Sequence, residues 1–431
     1  MCVRDRPSWT FILILMLAAA PAAPAHADML DSLLPPGVPG LDTQPGVTVQ
    51  SRLHPELQPL GLHFGAFRFY PRLDESTGFD TNVLPGASHR GSWEVITAPS
   101  LVIGSDWSTD ALGATLALTD TRYLALPSQS RTDGTASVGW RLDLGRNQFT
   151  LSAAHLSQHE DRGQVGTLAS DEPVAFKADT IGATYTANDG RWTIEPGLRV
   201  TNWLYDNTTV LGVPTSQAYR DHVTAQGDVT LRYEWAPLRN ILFVVHALGQ
   251  DYTSIPAGQP SPDSTSVQIL SGISDNADAV WHWRLLLGGE TRGFTSPLYP
   301  RRNNLIAEAG LGWEPSGFTS IGVTLSREST DAAQAGVSGL MLTTGRLTID
   351  HEYFRNLLLR ASLGLQQADF FGGGHQNGIV AGLGATWVMN RSIRLSATYD
   401  DTSLHGTNDP AQGLIGSYHR GIGLITVRLG L

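Results

Sequence analysis

Ionisable side chains recur at every second position of short segments whose intervening positions are apolar. Trp192, Ile194, Leu198 and Val200 alternate with Thr193, Glu195, Arg199 and Thr201. Val229, Leu231, Tyr233 and Trp235 alternate with Thr230, Arg232 and Glu234. Leu357 to Leu365 interleaves with Arg360 and Gln366, and Ile393 to Tyr399 with Arg394 and Asp400. A period of two places the two sets on opposite faces of a strand. The charged set comprises Arg68, Arg72, Arg141, Asp143, Glu195, Arg199, Arg232, Glu234, Arg284, Glu290, Glu308, Arg346, Asp350, Glu352, Arg360, Arg394, Asp400 and Arg428. Such a face suits a water-filled channel whose arginines meet anionic groups and whose carboxylates screen them. It suits equally a wall stiffened by cross-strand ion pairs.

A second pattern sits where such segments end. Phe79-Asp80-Thr81-Asn82, Tyr205-Asp206-Asn207-Thr208 and Tyr399-Asp400-Asp401-Thr402 repeat an aromatic-acidic-polar order. Asp80, Asn82, Asp206 and Asp400 in a ring would hold divalent ions or sugar hydroxyls. Alternatively, Asp and Asn end strands through local hydrogen bonds to backbone. Hydrolytic chemistry would need a nucleophile, a histidine base and an orienting acid together. His155, His159, His246, His282, His351 and His375 are scattered, and His351-Glu352 lacks the second histidine of a zinc helix. The expectation is no enzyme, no cofactor and no metal site.

About eighteen strands in antiparallel succession would carry these residues. Their centres fall near Phe69, Ala98, Leu116, Arg141, Ala153, Ala183, Leu198, Leu231, Val245, Ile269, Leu285, Ala309, Val323, Leu347, Leu363, Gly384, Leu395 and Thr426. Tight Asn/Asp/Pro/Gly turns such as Gly145-Arg146-Asn147 and Glu314-Pro315-Ser316-Gly317 alternate with longer loops such as Glu160 to Pro173. That alternation predicts an all-β, transmembrane up-and-down barrel of the outer-membrane type, with short periplasmic turns and long external loops. Trp107, Trp140, Trp235, Trp281, Trp283, Trp313 and Trp387 lie near the short turns, as an aromatic girdle would. Trp93 and Trp203 lie nearer the long loops and suit the opposite girdle.

The N-terminus reads differently. Arg4 and Arg6, the apolar run Phe11 to Ala20 and Ala25-His26-Ala27 form a signal peptide over 1–27. Residues 28–60, rich in Pro and Gly, read as a disordered periplasmic leader, and 61–431 as the barrel. Within the leader, Met29 to Leu34 is a candidate apolar anchor. The single cysteine, Cys2, lies in the signal peptide, so a mature chain cut after Ala27 has no thiol. A net charge of −11 disfavours nucleic acid as a partner.

Gly65 and Phe67, Pro71, Phe79-Asp80-Thr81-Asn82-Val83, Pro99 and Ser105-Asp106-Trp107 carry a further signal. In order and spacing this stretch resembles the outer-membrane β-barrel porin 2 family, with Thr81 where a second Asp is usual. The final strand, Ile422 to Leu431, resembles the signal read by the barrel assembly machinery, with Leu431 in place of an aromatic residue. The resemblance implies an outer-membrane pore in contact with lipid and lipopolysaccharide. It also implies exopolysaccharide export alongside a periplasmic export protein, with polysaccharide as cargo. A diffusion porin for small solutes and a non-conducting barrel that anchors surface polymer are the alternatives. A loop of about fourteen residues, Glu160 to Pro173, favours an unconstricted, polymer-sized passage.

Overall fold

The computed structural model describes residues 38–41, 49, 55–84, 90–210, 212–256, 258–278, 280–406 and 415–431. The expected signal peptide, 1–27, and the stretch Met29 to Leu34 lie outside them. Nineteen strands share one antiparallel sheet, and the three-residue Leu62–Phe64 merely flanks the first long one. Eighteen long strands remain and close on themselves. They are β1 Phe67–Asp80, β2 Ser92–Ser105, β3 Ala111–Tyr123, β4 Arg131–Leu144, β5 Asn147–His159 and β6 Ala175–Asp189. Then come β7 Trp192–Tyr205, β8 His222–Ala236, β9 Arg239–Tyr252, β10 Ser264–Asp275, β11 Trp281–Phe294 and β12 Arg302–Ser316. Last are β13 Thr319–Thr330, β14 Leu340–Phe354, β15 Leu357–Phe370, β16 His375–Val388, β17 Ile393–Gly406 and β18 Ser417–Gly430. Each expected centre falls inside its strand. β18 pairs back onto β1 from Arg72↔Gly430 to Asp80↔Ile422, so no backbone edge is left open to hydrocarbon.

Register fixes the faces. Leu198 opposes Ala183 and Gly227, Leu305 opposes Gly289, and Leu383 opposes Ala361 and Tyr399. These outward leucines are among the most exposed side chains, as expected where lipid is the packing partner. Trp281 stacks on Trp313 at 4.9 Å and Trp192 meets Tyr233 at 4.6 Å, both beside short turns. At the opposite end Phe79 packs edge-on to Trp93. Nearer that end the outer face turns polar, carrying Asp120 with Arg122, His155 with Asp179, and Asp401 with His419. Strands of 12 to 15 residues exceed the roughly 9–11 that cross hydrocarbon, so their upper ends project beyond the apolar belt.

Local chemistry holds the periplasmic turns. Asp143 accepts from the Gly145 amide, and Glu234 accepts from Leu238, the one described non-glycine residue with positive φ. That hydrogen bond offsets the cost of a left-handed leucine.

Candidate functional site: a lumen crossed by loop and leader

Residues 160–174 connect β5 to β6 and fold inward. Arg162 anchors their base: Nη1 donates to Val83 O at 2.9 Å and to Gln129 Oε1 at 2.6 Å, and Nη2 donates to Ser170 O at 2.9 Å. Burial pushes its guanidinium down to about 10. The tip reaches the far wall. Val165 N donates to Gln366 Oε1 at 3.4 Å, and Gly166 N donates to Gln376 Oε1 at 2.7 Å. Gly166 has φ +87, a backbone state that glycine adopts without the Cβ clash. Gln366 belongs to β15, nine strands from β6 in either direction around the barrel. Val165 packs there between two apolar clusters, Leu340/Ala368/Phe370 and Leu404/Ile415/Tyr418. The arm therefore spans the lumen, and the expectation of an unconstricted passage is corrected. At about 3.3 Å per extended residue, the seven residues 160–166 reach about 23 Å, so a short loop suffices.

A second loop, 331–339, is fastened beside it. Arg292 Nη2 donates to Asp331 Oδ1 at 2.8 Å, and Gln250 Nε2 donates to Asp331 Oδ2 at 2.7 Å. Burial alone would raise the Asp331 carboxyl, but Arg292 and His222 outweigh it and hold the group below the usual aspartate range. Arg220 pairs with Glu160 and lies over the Tyr205 ring at 4.0 Å. Burial works against that guanidinium, yet the Glu160 carboxylate holds it above its ordinary value. Tyr219 OH donates to Ala333 O at 2.6 Å, tying the 218–220 turn to the second loop. Between these loops and the wall of β8 to β15 lies a cavity of about 660 Å³ reached by Tyr252, Gln226, Glu328 and Arg346.

The leader enters as well. Val38 (0 % exposed) and Leu41 (3 %) pack on Ala154, Leu156, Phe176, Ala178 and Trp203 on the inner face of β5 to β7. Gly139 on β4 admits the Pro39 carbonyl so closely that a Cβ would overlap it. Val49 is buried, and its amide donates to Ser320 Oγ on β13 at 3.1 Å. Residues Pro55–Leu57 form a short 3-10 turn at the periplasmic edge, where Glu56 pairs with Arg355 at 2.6 Å. Two expectations are corrected here. The described leader residues 38–41 and 49 lie inside the barrel rather than in the periplasm. Trp203 faces the lumen rather than a girdle, because Asn202 and Leu204 take the outward positions.

Register places all of the charged candidates on the inner face, but their partners differ. Asp74 takes Arg428 through two bonds of 2.8 Å and lies 3.6 Å from Arg72. Arg394 sits directly opposite Arg428, within electrostatic reach of it and of Arg72. Arg360 forks onto Asp350 at 2.7 and 3.0 Å, Arg284 lies 3.8 Å from Glu308, and Arg68 lies 3.2 Å from Asp106. Glu195 accepts from Thr186 at 3.1 Å, and Glu290 from Ser329 at 2.6 Å. Arg141, Arg199, Arg232, Arg346, Glu352 and Asp400 complete the face, while Asp143 and Glu234 are spent on the turns described above.

The acidic repeats do not assemble. Asp80 (0 % exposed) is held by Arg420 at 2.6 and 2.9 Å and accepts the Asn82 amide at 2.9 Å. Asn82 also donates to His419 O, whereas Asp206 ends β7 at an exposed site and Asp400 lies mid-wall. Among the described residues, no three His, Cys, Asp or Glu side chains gather as metal ligands would. Sequence reading missed Arg162, Arg220, Asp331, Arg292 and Arg420. A usable signal for the leader's seat was present: in β5 to β7 the alternation inverts near the upper end, with Leu156, Phe176, Ala178 and Trp203 inward and His155, Lys177, Asp179 and Asn202 outward.

No curated protein matches this chain. Among solved structures it is similar to OpdK of Pseudomonas aeruginosa, at 11% identity and a TM-score of 0.44, covering 84% of this chain and 99% of that one. OccK2 (OpdF) of the same organism, in complex with glucuronate, shares 12% identity over 84% and 98% of the two chains, TM-score 0.44. OccAB3 of Acinetobacter baumannii shares 8% over 85% and 99%, TM-score 0.45. Likeness at that level carries no argument about solute; the closed register of eighteen strands stands by itself. The family described as "Putative beta-barrel porin 2" matches residues 54–420. That match runs from ahead of β1 through β17 into the first four residues of β18, and with it the chain belongs to the β-barrel porin 2 family and to the outer membrane.

Proposed function

We propose that this porin is a diffusion channel for small polar solutes, narrowed by the arm 160–174. The observation that carries this reading is the arm's crossing to Gln366 and Gln376 on the far wall. A barrel of eighteen strands is otherwise wide enough for an aqueous passage. Its inner face supports transport of hydrated solutes where part-exposed charges such as Arg72, Arg360 and Arg428 meet the passage. At the periplasmic mouth Arg72, Arg394 and Arg428 share one carboxylate, Asp74, so an anion gains there what a cation loses.

A passage for exopolysaccharide, worked with a periplasmic export protein, draws no support from this geometry, since arm and leader both stand in the way of a polymer. Lipid and lipopolysaccharide are the proposed surroundings of the outer face, and the assembly machinery the proposed reader of β18.

Proteoliposome swelling tests the proposal. Vesicles holding the purified barrel should admit amino acids and monosaccharides quickly and longer oligosaccharides progressively more slowly. Equal rates for monosaccharides and long oligosaccharides, or no uptake of any solute, would overturn it.

A further inference from the structure

The leader's place in the lumen has a functional consequence. We propose that Val38–Leu41 are a tethered plug: they occupy a built seat on the inner wall, close part of the passage, and open it by leaving that seat.

Three observations point to a seat rather than an accidental contact. First, Leu156, Phe176, Ala178 and Trp203 turn apolar side chains inward, and Val38 and Leu41 complete one buried cluster with them. Their outward neighbours, His155, Lys177, Asp179 and Asn202, are polar, so at this height the apolar side chains of β5 to β7 face the leader. Second, Gly139 leaves the space that the Pro39 carbonyl fills, and Gly40, with φ +80, turns the chain against Thr150 and Ser152. Leu41 N donates to Val38 O at 3.0 Å, closing that turn. Third, Val49 bonds to Ser320 on β13, eight strands from β5, so the leader touches two nearly opposite walls.

The grip is of a kind that can let go. It rests on two apolar side chains, the Pro39 carbonyl against Gly139 and one hydrogen bond from Val49, and the covalent tether at the periplasmic edge keeps the local concentration of plug high. A short tether makes rebinding fast and makes release sensitive to small changes in the seat.

Single-channel conductance of the full chain tests this. Val38→Asp with Leu41→Asp removes the apolar fit, while Gly139→Ala blocks the seat and leaves the leader's sequence intact. Heat-modifiable electrophoretic mobility checks that each barrel is folded. Both variants should conduct at least about twofold more than the parent. A synthetic peptide covering residues 36–43, added from the periplasmic side, should restore the parental level in the double Asp variant and fail to do so in Gly139→Ala. Unchanged conductance in both folded variants would overturn the plug while leaving the channel standing. So would a peptide that closes neither variant or closes both alike.

Discussion

The two ends of the lumen use the same residue types to different ends. Near the loops, Arg162, Arg220, Arg292 and Arg420 are buried, and each is committed to a protein acceptor: Val83 O, Glu160, Asp331 and Asp80. Near the periplasm, Arg72, Arg394 and Arg428 are part-exposed around the single carboxylate of Asp74, and two of them face each other across a strand pair. Buried, paired arginines hold loops in place, because a buried charge without its partner is costly. Part-exposed arginines that outnumber the carboxylates within reach contribute little to stability and remain available to passing solute. Arginine content alone says nothing about which of these a residue does; the number of acceptors within reach decides.

The sharpest break in that comparison is Asp331→Ala. It strands the Arg292 guanidinium in a buried site and should weaken attachment of loop 331–339 by about 3 kcal/mol. Faster protease cleavage within 331–339 would register it, along with a noisier, larger conductance. Arg162→Ala comes next. It removes a charged donor from three acceptors and should loosen the arm by about 2 kcal/mol, raising conductance. Gly166→Ala imposes a left-handed alanine at the arm's tip and should cost about 1 kcal/mol, seen as more frequent open-state flicker. Arg394→Glu should leave thermal stability nearly unchanged and shift only the reversal potential in a salt gradient, toward cations.

Acid sharpens the contrast further. The Asp331 carboxyl is held below its ordinary value, so it binds fewer protons folded than unfolded. Its contribution is complete above the ordinary aspartate pKa of about 4 and is lost as pH falls through the depressed folded value. Conductance should therefore be flat from neutral pH to about pH 5 and rise at lower pH, and that rise should be smaller in Asp331→Ala.

How far the sequence could be read follows the same division. Strand order and faces depend on a period of two and on turn chemistry, both local, and Leu357 to Leu365 or Val229 to Trp235 display them without help from the rest of the chain. The outward tryptophans follow for the same reason. What escaped reading is set by contacts between distant segments. Nothing around Arg162 announces Val83 and Gln129, and nothing around Asp331 announces Arg292, because those partners meet only when the barrel closes. Pro and Gly in the leader argue against helix and sheet, not against burial. Distance from the turns suggests a girdle place for Trp203, whereas parity with Asn202 outward turns it to the lumen. Residue number makes the arm look short, though reach is what matters.

In this channel the arm sets the width of the passage. The most direct test is the size of polyethylene glycol that still lowers single-channel conductance, compared between the parent and Arg162→Ala. The parent should exclude polymers that enter the variant, with the cut-off moving to larger sizes when the arm loses its anchor. One cut-off shared by both proteins, with the variant folded and its arm accessible to protease, would contradict the account.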